Sequence, residues 1–190
     1  MIGRTAIAVL ALAAPQGLAA QTVFPAPDAE GCFAIAESFR FCGAGLGWRG
    51  NGSSHPDITA IFNSDAEGEW LVFKLFDPET GVMGAFDAEP SEAAAEMIAR
   101  KRQSNDLDAE IRSAKLNGGV VVRQTSGDLH DRTLRTAVIY FTREGATDVR
   151  VVSEFTGEPW LLTVSSSTTG SSGEAWTRHA DALAALEIQK

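Results

Sequence analysis

The chain has two cysteines among its 190 residues, Cys32 and Cys42, and a single tyrosine. With no third cysteine there is no metal-thiolate cluster, and the pair lacks the C-x-x-C spacing of a redox motif. Histidine is scarce too: His55, His130 and His179 form neither H-x-x-x-H nor H-E-x-x-H. A metal site takes three or four converging ligands, so no metal and no other cofactor is expected. No apolar run approaches the roughly 20 residues that span a bilayer, so no membrane insertion is expected. Basic charge is outnumbered, with 16 Lys and Arg against 25 Asp and Glu and a net charge of −9 at pH 7. Nucleic acid and anionic membrane surfaces are therefore poor partners. The serines of residues 165–172 contain no G-x-S-x-G and read as loop chemistry rather than as a nucleophile.

What is present begins with a leader. MIGRTAIAVLALAAPQGLAA carries one positive charge at Arg4, a short apolar run from Ala6 to Ala14, a Pro15-Gln16-Gly17 breaker and small residues at its end. These are the parts of a secretory signal peptide, residues 1–20, with cleavage expected after Ala19 or Ala20. The protein is then exported, and the style of the signal suggests a bacterial periplasm. About 170 residues remain, one domain's worth. Residues 21–31, QTVFPAPDAEG, have two prolines and no periodicity and read as an extended leader; residues 32–188 read as one α+β domain.

The clearest organisation lies between Gly119 and Ser167. GVVVRQT, TLRTAVIYFTR, DVRVVSEFT and PWLLTVSSS are rich in β-branched and aromatic residues. Ser-Gly-Asp, Arg-Glu-Gly-Ala and Thr-Gly-Glu-Pro divide them as turns, which predicts four strands paired antiparallel. Two earlier strands are expected at residues 57–63 and 69–76, a DPETG turn at 77–81 and a short strand at 82–86. The period then changes to that of a helix, from Glu89-Pro90 to Arg100-Lys101-Arg102. Asn117-Gly118 between AEIRSAKL and GVVVRQTS has the form of a type I′ hairpin turn, with a helix through residues 107–116 as the alternative. Ser171 and Glu174 are spaced as a capping box. They open a last helix whose buried stripe is expected to run through Trp176, His179 or Ala180, Leu183 and Leu186.

Ten residues of straight strand would hold Cys32 and Cys42 about 33 Å apart. A hairpin turning near Ala36, Glu37 and Ser38 brings them together, so a disulfide is the leading reading over free thiols in an exported chain. GAGLGWRGNGSS, residues 43–54, reads as a flexible loop; no βαβ pattern surrounds it and no Lys-Ser or Lys-Thr closes it as a phosphate loop. Trp48 within it either plugs one end of the core or lines a binding groove.

This order of elements resembles the PsbP/Mog1-like family. The resemblance rests on Gly47-Trp48, the EPSEAAAEMI helix, LNGGVVVRQT, GEPWLLTVSSS and the closing EAWTRHADALAAL, and covers most of the mature chain. It implies an antiparallel sheet between helical layers, an α/β/α sandwich, in a family of assembly factors, partner-binding proteins and exported bacterial members. The Cys32 and Cys42 pair and a longer Ser/Thr loop depart from the family pattern, and no catalytic residue carries over.

The function expected on these grounds is non-enzymatic. The chain would bind a periplasmic partner protein or a small ligand at a sheet edge or near Trp48, Arg49 and His55, and an edge strand leaves a homodimer open. A small hydrolase using His55 or His130 with a nearby carboxylate is the alternative.

Overall fold

The structure, a computed structural model, describes residues 26–36, 39–51, 60–65, 68–76, 106–143, 146–156 and 161–188. The expected turn at 77–81, strand at 82–86, helix at 89–102 and His55 lie outside the described residues, as does the expected signal peptide, residues 1–20.

The four expected strands form as β6 (Val120–Leu129), β7 (Arg132–Arg143), β8 (Ala146–Thr156) and β9 (Leu161–Thr168). They follow β3 (Trp48–Asn51), β4 (Ala60–Ser64) and β5 (Trp70–Phe76) in one antiparallel sheet of order β3-β4-β5-β9-β8-β7-β6. A smaller sheet joins the disulfide-linked hairpin, β1 (Phe33–Ala36) and β2 (Phe39–Phe41), to β10 (Leu186–Ile188).

Among the described residues two helices cover opposite faces of the large sheet, and the period-2 alternation of β8 sets which residue meets which helix. Val152 packs with Leu107, Ile111 and Ala114 of α1 (Leu107–Leu116). Phe155 and Val151 turn the other way, toward Leu183 and Ala175 of α2 (Ser172–Ala184). The small sheet shares the α2 face, where Phe33, Phe41, Phe62 and Phe73 meet ring against ring with centroids 4.8 to 6.2 Å apart. The layering is that of an α+β sandwich with helices on both sides of an antiparallel sheet.

Five local expectations are corrected. Residues 107–116 form a helix rather than the first arm of a hairpin, because Asp106 caps its start through Ala109 N–H and Asp108 and Glu110 suit its first turn. Asn117-Gly118 ends that helix: Gly118 takes φ 80°, its N–H bonds the Lys115 carbonyl, and Gly119 N–H bonds the Ala114 carbonyl. This is a Schellman cap, which needs the same left-handed glycine as a hairpin turn. Ser126, Gly127 and Asp128 continue β6 instead of turning, and the two-residue turn falls on His130 and Asp131, both with positive φ. Part of the glycine loop is ordered, as a 3-10 turn at Ala44–Leu46 and as β3 paired with β4. Leu186 lies in β10, not on the last helix, and Ala180 is exposed while Ala175 and Ala182 are buried.

Candidate functional site

On the α2 face three buried hydroxyls meet beneath the middle of α2. Thr136 of β7 and Ser153 of β8 are direct cross-strand partners, and Ser166 of β9 lies opposite Val151 one row away. All three are buried, and all point to the strip covered by the middle of α2. His179, in the third turn after the capping box, inserts between them with 2% exposure. Its Nδ1 is 2.7 Å from Ser166 Oγ, its Nε2 is 2.8 Å from Ser153 Oγ, and Ser153 Oγ is 2.7 Å from Thr136 Oγ1. Burial holds the imidazolium pKa down at about 3, from an ordinary value of 6.5. The ring is therefore neutral at physiological pH, donating at one nitrogen and accepting at the other.

Thr136 and His179 also floor a cleft of about 310 Å³ between α2 and the outer strands β6 and β7. Its walls are largely apolar, with Leu129, Leu134, Leu183 and Trp176 contributing side chains. The volume is at the small end of the range of roughly 300–1,000 Å³ typical of ligand sites. At one end the exposed Arg123 guanidinium stacks 4.5 Å over the Trp176 ring. Toward the other end His130 Nε2 sits 3.2 Å from the Leu183 carbonyl oxygen, tying the β6–β7 turn to the last turn of α2. The cleft thus has a neutral polar floor, apolar walls and two side-chain contacts that hold its strand edge to its helix.

The opposite face carries a charged row that is used within the fold. Glu154 is 2% exposed and accepts from the Leu107 N–H at 2.6 Å, serving the free N-terminal donors of α1. Arg135 reaches Glu154 at 3.4 Å and Asp108 at 2.9 Å, and Lys74 pairs with Glu110. These contacts pin α1 to the sheet, and the row presents no open carboxylate pair.

Of the residues singled out from sequence, Trp48 is a core plug, 2% exposed and packed with Phe33, Phe41 and Phe62. Arg178 lies 4.6 Å over its ring while bonding the Leu46 carbonyl, Ser64 Oγ and Glu69. Arg49 is exposed and pairs with Asp65 at 2.8 Å. Neither is brought to the cleft by the structure. His130 contacts a main-chain carbonyl and not a carboxylate at its Nε2. Ser165 to Thr168, read as loop chemistry, belong to a central buried strand. The grouping of Thr136, Ser153, Ser166 and His179 was missed, although one signal was available. In DVRVVSEFT and PWLLTVSSS, the alternation that turns Val151, Phe155, Leu162 and Val164 inward turns Ser153 and Ser166 inward as well.

No protein-family model matches the chain. No curated protein matches it either. Among solved structures it is similar to the solution structure of cyanobacterial PsbP from Synechocystis sp. PCC 6803. That match has a TM-score of 0.45 and 12% identity, covering 93% of this chain and 98% of the other. It is also similar to a Pseudomonas aeruginosa protein of unknown function, with a TM-score of 0.38 and 17% identity over 68% of this chain and 78% of that one.

Proposed function

We propose that this chain is an exported, periplasmic, non-catalytic binding protein that takes a small ligand in the cleft between α2 and β6–β7. The observation that carries this reading is the state of His179. A general base works best with a pKa near the operating pH, whereas burial holds this imidazole near 3 and both its nitrogens are occupied by serine hydroxyls. The histidine at the cleft floor is thus suited to offering a fixed, neutral hydrogen-bonding surface rather than to accepting a proton from a reacting group. The disulfide between Cys32 and Cys42 supports an oxidising compartment. If a partner protein also docks at the loop of Trp48, Arg49 and His55, Arg49 is the exposed described residue of that set.

Gly127 offers the test. It lines the cleft, and a Cβ built there meets nothing within 4 Å, so a larger side chain enters the cleft without displacing the core. Wild type and Gly127→Leu would be purified from the periplasm and denatured, and the released small molecules compared by mass spectrometry. A compound released by the wild type and absent from the equally stable variant is expected. Equal release from both, or turnover of ester or phosphoester substrates by the wild type, would overturn the reading.

A further inference from the structure

The hydrogen bonds beneath the cleft form a single file, Ser166–His179–Ser153–Thr136. Counting protons along it leaves two self-consistent arrangements. With the proton on Nδ1, His179 donates to Ser166 and accepts from Ser153, Ser153 in turn accepts from Thr136, and Thr136 has only lone pairs left for a visitor. With the proton on Nε2, His179 accepts from Ser166 and donates to Ser153, Ser153 donates to Thr136, and the Thr136 hydroxyl proton becomes free. The spare proton therefore sits at one end of the file or the other, on Ser166 or on Thr136. Of these four residues only Thr136 and His179 line the cleft, and both ring nitrogens of His179 are already taken.

We infer that the cleft binds an uncharged, mainly apolar small molecule bearing one hydroxyl or carbonyl, and that Thr136 meets this group as donor or acceptor according to the tautomer of His179. The inference rests on the cleft being the binding site. Three features select the ligand class. Apolar walls favour an apolar body. The floor is made of neutral hydroxyls and a neutral imidazole, and the one charged residue of the lining, Asp128, is exposed to solvent and accepts from Thr133 Oγ1 at 3.4 Å, so an ionised ligand seated on the floor would lose its hydration without compensation. A ligand lacking the polar group leaves one hydroxyl of the floor unmatched, which is the usual origin of strong discrimination in buried sites. A buried histidine that stays neutral on acidification keeps the two-tautomer floor over the whole physiological range.

The test uses four molecules of similar size on the mature, disulfide-bonded protein: acetophenone, benzyl alcohol, ethylbenzene and benzoate. Binding is followed through the Trp176 indole resonance, and the His179 tautomer through the ring-nitrogen shifts of isotope-labelled histidine. Acetophenone, which can only accept, is expected to drive His179 to the Nε2–H form. It should bind about fivefold more tightly than ethylbenzene, the contribution of one neutral hydrogen bond. Benzyl alcohol should bind comparably, and benzoate should not bind. Thr136→Val should erase the difference between acetophenone and ethylbenzene, and Thr136→Ser should retain it, with Gly127→Leu as the filled-cleft control. Equal affinities for acetophenone and ethylbenzene, or an unchanged tautomer on saturation with acetophenone, would overturn the inference while leaving the cleft a binding site. Absence of binding by all four at millimolar concentration overturns the inference; if wild type alone still releases a compound, the cleft survives as a site for another class of ligand.

Discussion

Mild acidification should destabilise this protein, and His179 should be the reason. In the unfolded chain the imidazole takes up its proton near pH 6.5, whereas in the folded protein burial delays uptake until about 3. Between those values the unfolded state binds one more proton, so stability falls as pH falls, at about 1.4 kcal/mol per pH unit once well below 6.5. Above 6.5 both states are neutral there and the effect vanishes. Over the roughly two units down to pH 4.5 the loss amounts to about 3 kcal/mol, a large part of the roughly 5–15 kcal/mol that stabilises a domain. The assay is a series of urea unfolding curves across this range, read by tryptophan fluorescence, on wild type and on His179→Gln. The amide of Gln retains a donor and an acceptor for Ser153 and Ser166 but does not titrate. Subtracting the variant's pH profile from that of the wild type removes every other group, including His55 and His130. A difference that grows toward acid by about 3 kcal/mol is expected. Parallel profiles would refute the reasoning, since they would mean that the folded protein admits a proton to His179 as readily as the unfolded chain does.

Replacing both Cys32 and Cys42 by Ala should cost about 3 kcal/mol by the loop-entropy argument for a crosslink of this length. The same loss should appear as a lower urea midpoint when the wild type is reduced. Gly118→Ala should destabilise by about 1 kcal/mol, because φ 80° at the cap of α1 suits glycine and there is no steric clash to add, as nothing lies within 4 Å of its Cβ. Thermal denaturation would check this, and an unchanged midpoint would mean that the cap is not used.

Strands β5 to β9 were legible because their signal is redundant: alternation, β-branched content and spacing agree. Where one motif serves two geometries, the sequence was ambiguous. Asn117-Gly118 suits a hairpin and a helix cap equally. The deciding features lay upstream, in Asp106 and in the Leu107, Ile111 and Ala114 spacing. Trp48 to Asn51 forms a strand because β4 lies beside it and Arg178 clamps Trp48 from the last helix, and neither is visible in a run of glycines. The candidate site was hidden for a related reason. Ser153, Ser166 and Thr136 come from three strands and gain meaning only when α2 lowers His179 between them. Period alone had placed His179 on a buried stripe. A histidine predicted to be buried, together with serines predicted to face inward, would have been enough to suspect their meeting.

The three-stranded sheet imposes an order in time. β2 receives one partner, β1, from just two residues upstream and the other, β10, from the far end of the domain, with Cys42 N–H bonded to the Ala185 carbonyl. The hairpin can be crosslinked as soon as residue 42 is available, but its second edge waits until residues 186–188 have been made. Until then β2 has an open edge, and Phe39 and Phe41 lack Leu186 beside them in the core. The staple of this small sheet can thus be set early, from residues close in sequence, while its last β-pairing joins residues from opposite ends of the domain and comes late.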